Sequence, residues 1–292
     1  MRRSLVILAS SLAVLAAPAP ASAWGFEVHR FITAKAIALL PPEIRPFFER
    51  FETAIVEHSI DPDLWRNAGF EDEPPRHFVD MDAYGPPPFT ELPREYDDAV
   101  RRYGRAFVEK NGLLPWRAEE IYRKLVEGFT LKSPYARENI KFFASVTSHY
   151  VADGHVPFHA AVNYDGQLTG QRGIHSRFES ELFERLRNRL TVRPTPIVPV
   201  RGVRDFMFDV LLSSFPHVEA ILEADRAAAA GREAYDDGYF TMFASRVQPI
   251  MEARLSAAMT HVASVIAAAW EEAGRPALPV ETVRTPAPVR RR

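Results

Sequence analysis

Apolar residues recur every three or four positions along most of this chain, the spacing that lines one face of a helix. Ile32, Ala36, Ile37 and Leu40 mark a helix over 29–40. Pro41-Pro42 stops it, and Pro42 opens a next one that carries Phe47, Phe48, Phe51, Ile55 and Val56. The pattern returns over 94–110 and 118–128 with Gly112 as a break, then over 133–152, where Ser133-Pro134 supplies an N-cap and a first-turn proline. Further helices are predicted over 174–190, 202–214, 216–229, 232–246 and 249–272. The aspartates, prolines, Gly69 and Gly85 of 58–93 predict a long ordered loop, and 160–173 a polar one. Arg193–Pro199 reads as a linker or an extended covering strap. The expected fold is all-α: a single multi-helix domain with long ordered loops.

The two ends stand apart from this pattern. Arg2 and Arg3, the apolar run Leu5–Leu15 and Ala21-Ser22-Ala23 have the order of a secretory signal peptide over 1–23. The apolar run is shorter than the roughly 20 residues that span a bilayer, and Pro18 and Pro20 interrupt it. Export to the periplasm or the medium is therefore expected, with a domain over 24–273 and no membrane-spanning segment in the mature chain. A Pro- and Arg-rich tail over 274–292 lacks helical periodicity.

Charge and cysteine narrow the chemistry. The formal charge of −2 becomes −4 once Arg2 and Arg3 are removed, which gives no general affinity for nucleic acid. With no cysteine, the chain has neither disulfides nor a thiolate nucleophile, and any metal must take oxygen and nitrogen ligands.

Such ligands occur in a dense series. His149 and Asp153 stand four apart, on one helix face, and His175 and Glu179 repeat the arrangement. His159 follows Gly154 and Pro157, which let the chain turn back, while Asp61, Asp63, His77 and Asp80 lie in the long loop. Imidazole and carboxylate suit zinc. Cleavage after Ala23 would free the Trp24 amine, whose nitrogen and carbonyl oxygen can chelate a metal with His29 nearby; a packed N-terminal plug is the other reading of Trp24. His58 reads as a capping or exposed residue, His155 as a partner for a ligand carboxylate, and His217 and His261 as structural.

Taken together, Trp24-Gly-Phe-Glu-Val-His29, Asp63-Leu-Trp-Arg66, His77-Phe-Val-Asp80, His149-xxx-Asp153-xxxxx-His159 and His175-xxx-Glu179 resemble the superfamily of zinc-dependent phospholipases C and S1/P1 nucleases. The resemblance covers 24–179. It implies three zinc ions at the bottom of a cleft, where activated water attacks a phosphodiester in line with the leaving oxygen. It gives one ion Asp63, His77, His149 and Asp153, and a second His159, His175 and Glu179. The third falls to Trp24, His29 and the other oxygen of Asp153.

By the same resemblance Asp63 is ligand and candidate base. Arg66 either steadies phosphate or salt-bridges a ligand carboxylate, and Phe78 either stacks on substrate or packs in the core. Glu179 and Ala161-Val-Asn163 resemble the phospholipases, whereas the Trp24–His29 spacing and Asp63-xx-Arg66 resemble the nucleases; His155-Val-Pro157 departs from the nuclease His-Gln-Pro. The expected partner is a phospholipid or another small phosphodiester. The alternatives are single-stranded nucleic acid or a 3′-nucleotide, or a zinc-stabilised binding module without catalysis.

Overall fold

Residues 25–278 are described by a computed structural model, and every regular element among them is helical. The expected signal peptide, Trp24 and the tail from 279 onward lie outside the described residues. The all-α expectation holds.

The first helices are α1 (Phe26–Ile37), α2 (Arg45–Arg50), α3 (Glu52–Glu57) and α4 (Asp61–Asn67). Helix α1 starts at Phe26, before the expected start at 29, and ends at Ile37. Gly25 caps it and lies so close to Ser180 that a Cβ would come within 2.5 Å of the serine Oγ. Pro42 opens only a turn; Pro46 is the first-turn proline of α2. The segment 58–93 is less loop-like than its composition predicts. It contains α4, started by Asp61-Pro62, and 3₁₀ turns at His58–Ile60, Pro74–His77 and Met81–Tyr84. Elements this short show no apolar period and are held by the surfaces they meet.

Next come α5 (Tyr96–Tyr103) and α6 (Arg105–Lys110), which meet at Gly104, then α7 (Leu114–Thr130) and α8 (Ala136–Asp153). Ser133-Pro134 is a turn and not the start of α8: the Ser133 hydroxyl accepts from Tyr135 N, and helix begins at Ala136. Every residue of α8 from Ala144 to Asp153 is buried, so this helix is the axis of the fold, covered by α7, by α1 and by the last helix. A 3₁₀ turn over Pro157–Ala160 follows.

Helix α9 (Ile174–Ser176) runs through a π-helical turn at Arg177–Glu181 into α10 (Leu182–Leu186). Helices α11 (Val203–Ser214) and α12 (His217–Ala229) precede α13 (Asp237–Glu272). Pro249 does not divide α13 as its sequence suggests. An interior proline costs about 3 kcal/mol, but Val247, Met251, Leu255 and Ala258 are all buried on either side of it, and the core they join outweighs that cost.

The Pro-rich stretch is an extended strap along α13. Glu252, Ser256, Thr260 and Ser264, spaced four apart on one face, accept the backbone N–H groups of Thr191, Arg193, Thr195 and Val198 at 2.8–2.9 Å. Among the described residues no helix is long and apolar enough to cross a membrane.

Candidate metal centre

The C-terminal turn of α8 is the hub. His149 and Asp153 project from one face of it, and five other segments bring their polar groups to meet them. Helix α1 contributes His29, the first turn of α4 Asp63, and the Pro74–His77 turn His77. The Pro157–Ala160 turn contributes His159, and the α9–π segment His175 and Glu179. All eight side chains are buried.

They form three groups within which one ligand atom per residue lies no more than 4.8 Å from the others: His77–His149–Asp153, His159–His175–Glu179 and His29–Asp63–His149. Asp153 links them. Its Oδ2 lies 2.9 Å from His77 Nδ1 and 3.3 Å from His149 Nε2, while Oδ1 lies 3.4 Å from His29 Nε2 and 3.7 Å from His159 Nδ1. Asp63 Oδ1 stands 4.0 Å from His77 Nδ1. Thus His29 faces both Asp63 and the second oxygen of Asp153.

Local structure decides which ring nitrogen each histidine presents. His149 Nδ1–H donates to the Ser59 carbonyl at 2.8 Å, which leaves Nε2 for the centre. The His29 ring stacks on His149, with centroids 3.9 Å apart and planes 14° from parallel. His77 presents Nδ1, because its Nε2 points toward Glu73. Glu73, one helical turn before His77, was not singled out by sequence; the i,i+4 spacing was the available signal.

The donor set fits a cation. Buried and without a hydrogen bond of normal geometry are both nitrogens of His29 and His175, His159 Nδ1, both oxygens of Asp63 and Glu179, and Asp153 Oδ1, although His175 Nε2 lies 2.6 Å from Glu179 Oε1 and Arg66 Nη2 3.0 Å from Asp63 Oδ1. Folded proteins rarely leave such groups unsatisfied, since each costs on the order of 1–3 kcal/mol. A cation coordinated by these atoms satisfies them together. Carboxylate and imidazole donors without sulfur suit zinc or another borderline divalent ion.

Proximity also displaces the protons. Burial raises the Asp153 carboxyl, but the charges of the adjoining His149 and His159 and the close contacts of His149 and His29 hold it well below the usual range. Burial lowers His77, yet its hydrogen bond to Asp153, the Glu73 carboxylate facing Nε2 and the nearby acidic charges bring it up to about 9. Burial raises Glu179 to about 7 against the pull of His175. Burial and the neighbouring His149 lower His29, and burial lowers His159 far more than Asp153 restores.

Arg66 Nη2 lies 3.0 Å from Asp63 Oδ1, the contact that one of its two sequence readings describes, and is within electrostatic reach of His159 and His175. Phe78 is half-buried. Its carbonyl accepts from Leu114 N, and Gly112, at φ +97°, packs so closely that a Cβ would meet that carbonyl at 2.1 Å. Asp80 is buried outside the three groups, with burial and Asp82 raising it to about 7.

Asp61 pairs with the exposed His58 and stays off the centre. His155 does not meet a ligand carboxylate. Its Nδ1–H donates to the Val151 carbonyl, and its Nε2 accepts from His261 Nδ1 at 2.8 Å, so both are structural.

The His175–Glu179 pair is held from outside the centre. Arg177, between them in sequence and buried, donates to Asp225 Oδ1 and to the carbonyls of Gln171 and Arg172. Tyr239 also donates to Asp225, whose other oxygen accepts from Gln171 at 2.6 Å. This network ties the α9–π segment to α12 and α13.

No protein-family model matches the chain, and no curated protein matches it.

Proposed function

We propose that the chain is a secreted zinc-dependent phosphoric ester hydrolase of the phospholipase C and S1/P1 nuclease type, with a phospholipid or another small phosphodiester as substrate. The observation that carries the reading is the set of unsatisfied imidazole nitrogens and carboxylate oxygens gathered around Asp153. His77, His149, Asp63 and Asp153 would hold one ion and His159, His175 and Glu179 another. A third would take the Trp24 amine and carbonyl with His29 and Asp153. When bound, zinc ions supply Lewis acidity, which activates water for attack on phosphorus and neutralises charge on the phosphate oxygens.

The protein's own groups have separable roles in this reading. Asp63, buried, with Arg66 Nη2 3.0 Å from Oδ1 and no partner on Oδ2, is the base that takes the proton of the attacking water. Arg66 orients the Asp63 carboxylate. Its side chain is 14% exposed, with Nε and Nη2 buried, so a phosphate oxygen would reach it only through the remaining guanidinium nitrogen. The Arg177–Asp225 network keeps His175 and Glu179 in place without touching substrate. A purely structural metal staple would need no base and no partly open arginine beside the ligands.

The second reading, a single-strand nuclease or 3′-nucleotidase, has one observation in its favour: Phe78 is only half-buried beside His77, as a base-stacking platform would be. Turnover of phosphatidylcholine, single-stranded DNA, RNA and 3′-nucleotides by the zinc-loaded processed protein, measured side by side, decides between them. Lipid hydrolysis is expected to dominate. Fast strand cleavage that Phe78→Ala reduces strongly, with negligible lipid turnover, would move the substrate class to nucleic acid. No turnover of any of the four at full metal content would overturn the hydrolase reading.

A further inference from the structure

The residue that precedes the Pro74–His77 turn is a carboxylate that the proposed chemistry does not use. Glu73 is buried, with 1% of its surface exposed, yet it belongs to none of the three ligand groups. Its Oε1 accepts from the Tyr150 hydroxyl, its Oε2 accepts from Arg76 Nη1 at 2.8 Å, and Oε1 lies 3.5 Å from His77 Nε2. His77 Nε2 is itself buried and makes no hydrogen bond of normal geometry. Glu73 is the carboxylate that faces it.

Tyr150 gives this contact a rigid support. It follows His149 on α8, is fully buried, and sets its ring against the edge of His77 with centroids 5.6 Å apart. Arg117 covers the Tyr150 ring at 5.3 Å. The carboxylate at 73 is therefore fixed by an element of the fold's axis, and the ring at 77 is fixed between that carboxylate and Asp153.

We infer that Glu73 is a positioning residue: it holds the Nε2–H of His77 so that Nδ1 is the nitrogen turned to Asp153 and Asp63, and Tyr150 and Arg76 hold Glu73 in turn. The inference rests on the reading of His77 as a metal ligand. An imidazole can present either nitrogen, and the hydrogen bond made by one selects the other for coordination. Without an acceptor at 73, the ring is free to turn, and its lone pair is no longer aimed at the centre. Losing a partner of this kind weakens metal binding about 10- to 100-fold.

The test compares Glu73→Leu, Glu73→Gln and His77→Ala with the wild type, using zinc titration of the processed, metal-stripped chain. A second measurement on the zinc-loaded protein follows solvent exchange of the His77 Nε2 proton by ¹⁵N-edited NMR. Glu73→Leu is expected to lose about 10- to 100-fold in affinity at one site and to exchange the Nε2 proton too fast to observe. Glu73→Gln, whose amide oxygen can still accept, is expected to recover most of both. Wild-type affinity and a protected Nε2 proton in Glu73→Leu would overturn the inference, as would Glu73→Gln failing as fully as Glu73→Leu.

His77→Ala separates the two levels of the argument. If it binds zinc as the wild type does, the metal reading of His77 falls. If it loses one ion while Glu73→Leu loses none, only the positioning role falls. Should Glu73→Leu not fold, Tyr150→Phe takes its place. It removes one support of the carboxylate and is expected to speed Nε2 exchange several-fold; unchanged exchange would overturn the inference.

Discussion

The Asp153 carboxylate meets the His77 imidazole at 2.9 Å, through Oδ2 and Nδ1, although the two residues lie 76 positions apart on different elements. The opposite oxygen of Asp153 faces His29 and His159. One side chain at the end of α8 thus borders both the Asp63–His77–His149 side of the centre and the His159–His175–Glu179 side.

That position makes Asp153 the most sensitive site for substitution. Asp153→Asn should lower metal content by more than one ion per chain and reduce phosphodiester turnover at least 100-fold, whereas His29→Ala should remove about one ion. Elemental analysis and steady-state turnover of the two variants check this. Full metal content and normal turnover in Asp153→Asn would remove the linking role.

Mature protein purified without metal-affinity media should contain close to three zinc per chain. A strong chelator should abolish activity and added zinc restore it. Plasma emission spectrometry is the measurement, and a persistent value near one would sink the three-ion assignment.

Processing should control the third ion. A form that keeps Ala23 has an amide in place of the free Trp24 amine, so it should bind one zinc fewer and turn over more slowly while its circular dichroism stays helical. Gly25, the residue after Trp24 in sequence, abuts Ser180, the neighbour of Glu179. Equal zinc occupancy in extended and processed forms would refute the chelate.

The proton on His77 predicts opposite pH trends for stability and metal binding. Its folded value of about 9 lies above the ordinary 6.5, so its contribution to the metal-free fold is complete below pH 6.5 and is lost as pH rises through 9. The loss is on the order of 3 kcal/mol, read by urea unfolding of the stripped protein across that window. Zinc must displace the same proton, so affinity should climb about tenfold per pH unit until pH 9. Calorimetry in buffers of different ionisation enthalpy should show close to one proton released from this site near pH 7.5; a pH-independent affinity would contradict the assignment.

Asp225→Ala should destabilise the chain by about 3–5 kcal/mol, because it leaves the buried Arg177 guanidinium without its acid. Metal bound through His175 and Glu179 should weaken in parallel. Chemical denaturation checks the first effect, and a loss below 1 kcal/mol would show that the network does not brace the π segment.

The i,i+4 pairs His149–Asp153 and His175–Glu179 were legible in the chain because a helix turns at 3.6 residues wherever it forms, so spacing alone puts both members on one face. The same local rule exposed the all-α class, the break at Gly112 and the candidate ligands by type, but it gave one helix over 94–110 where Gly104 divides α5 from α6. It could not show that α4 interrupts the 58–93 segment, since a helix of two turns is stabilised by what it packs on. Nor could it show that α13 continues through Pro249, where tertiary burial outweighs a local penalty. Only the tertiary structure determined which imidazole nitrogen faces the centre: the Ser59 carbonyl orients His149 from 90 residues away, and Glu73 faces His77 under the hold of Tyr150. Residue type and periodicity set which groups can bind and which local faces they share, but hydrogen bonds between distant segments set where each lone pair points, and those exist only once the chain has folded.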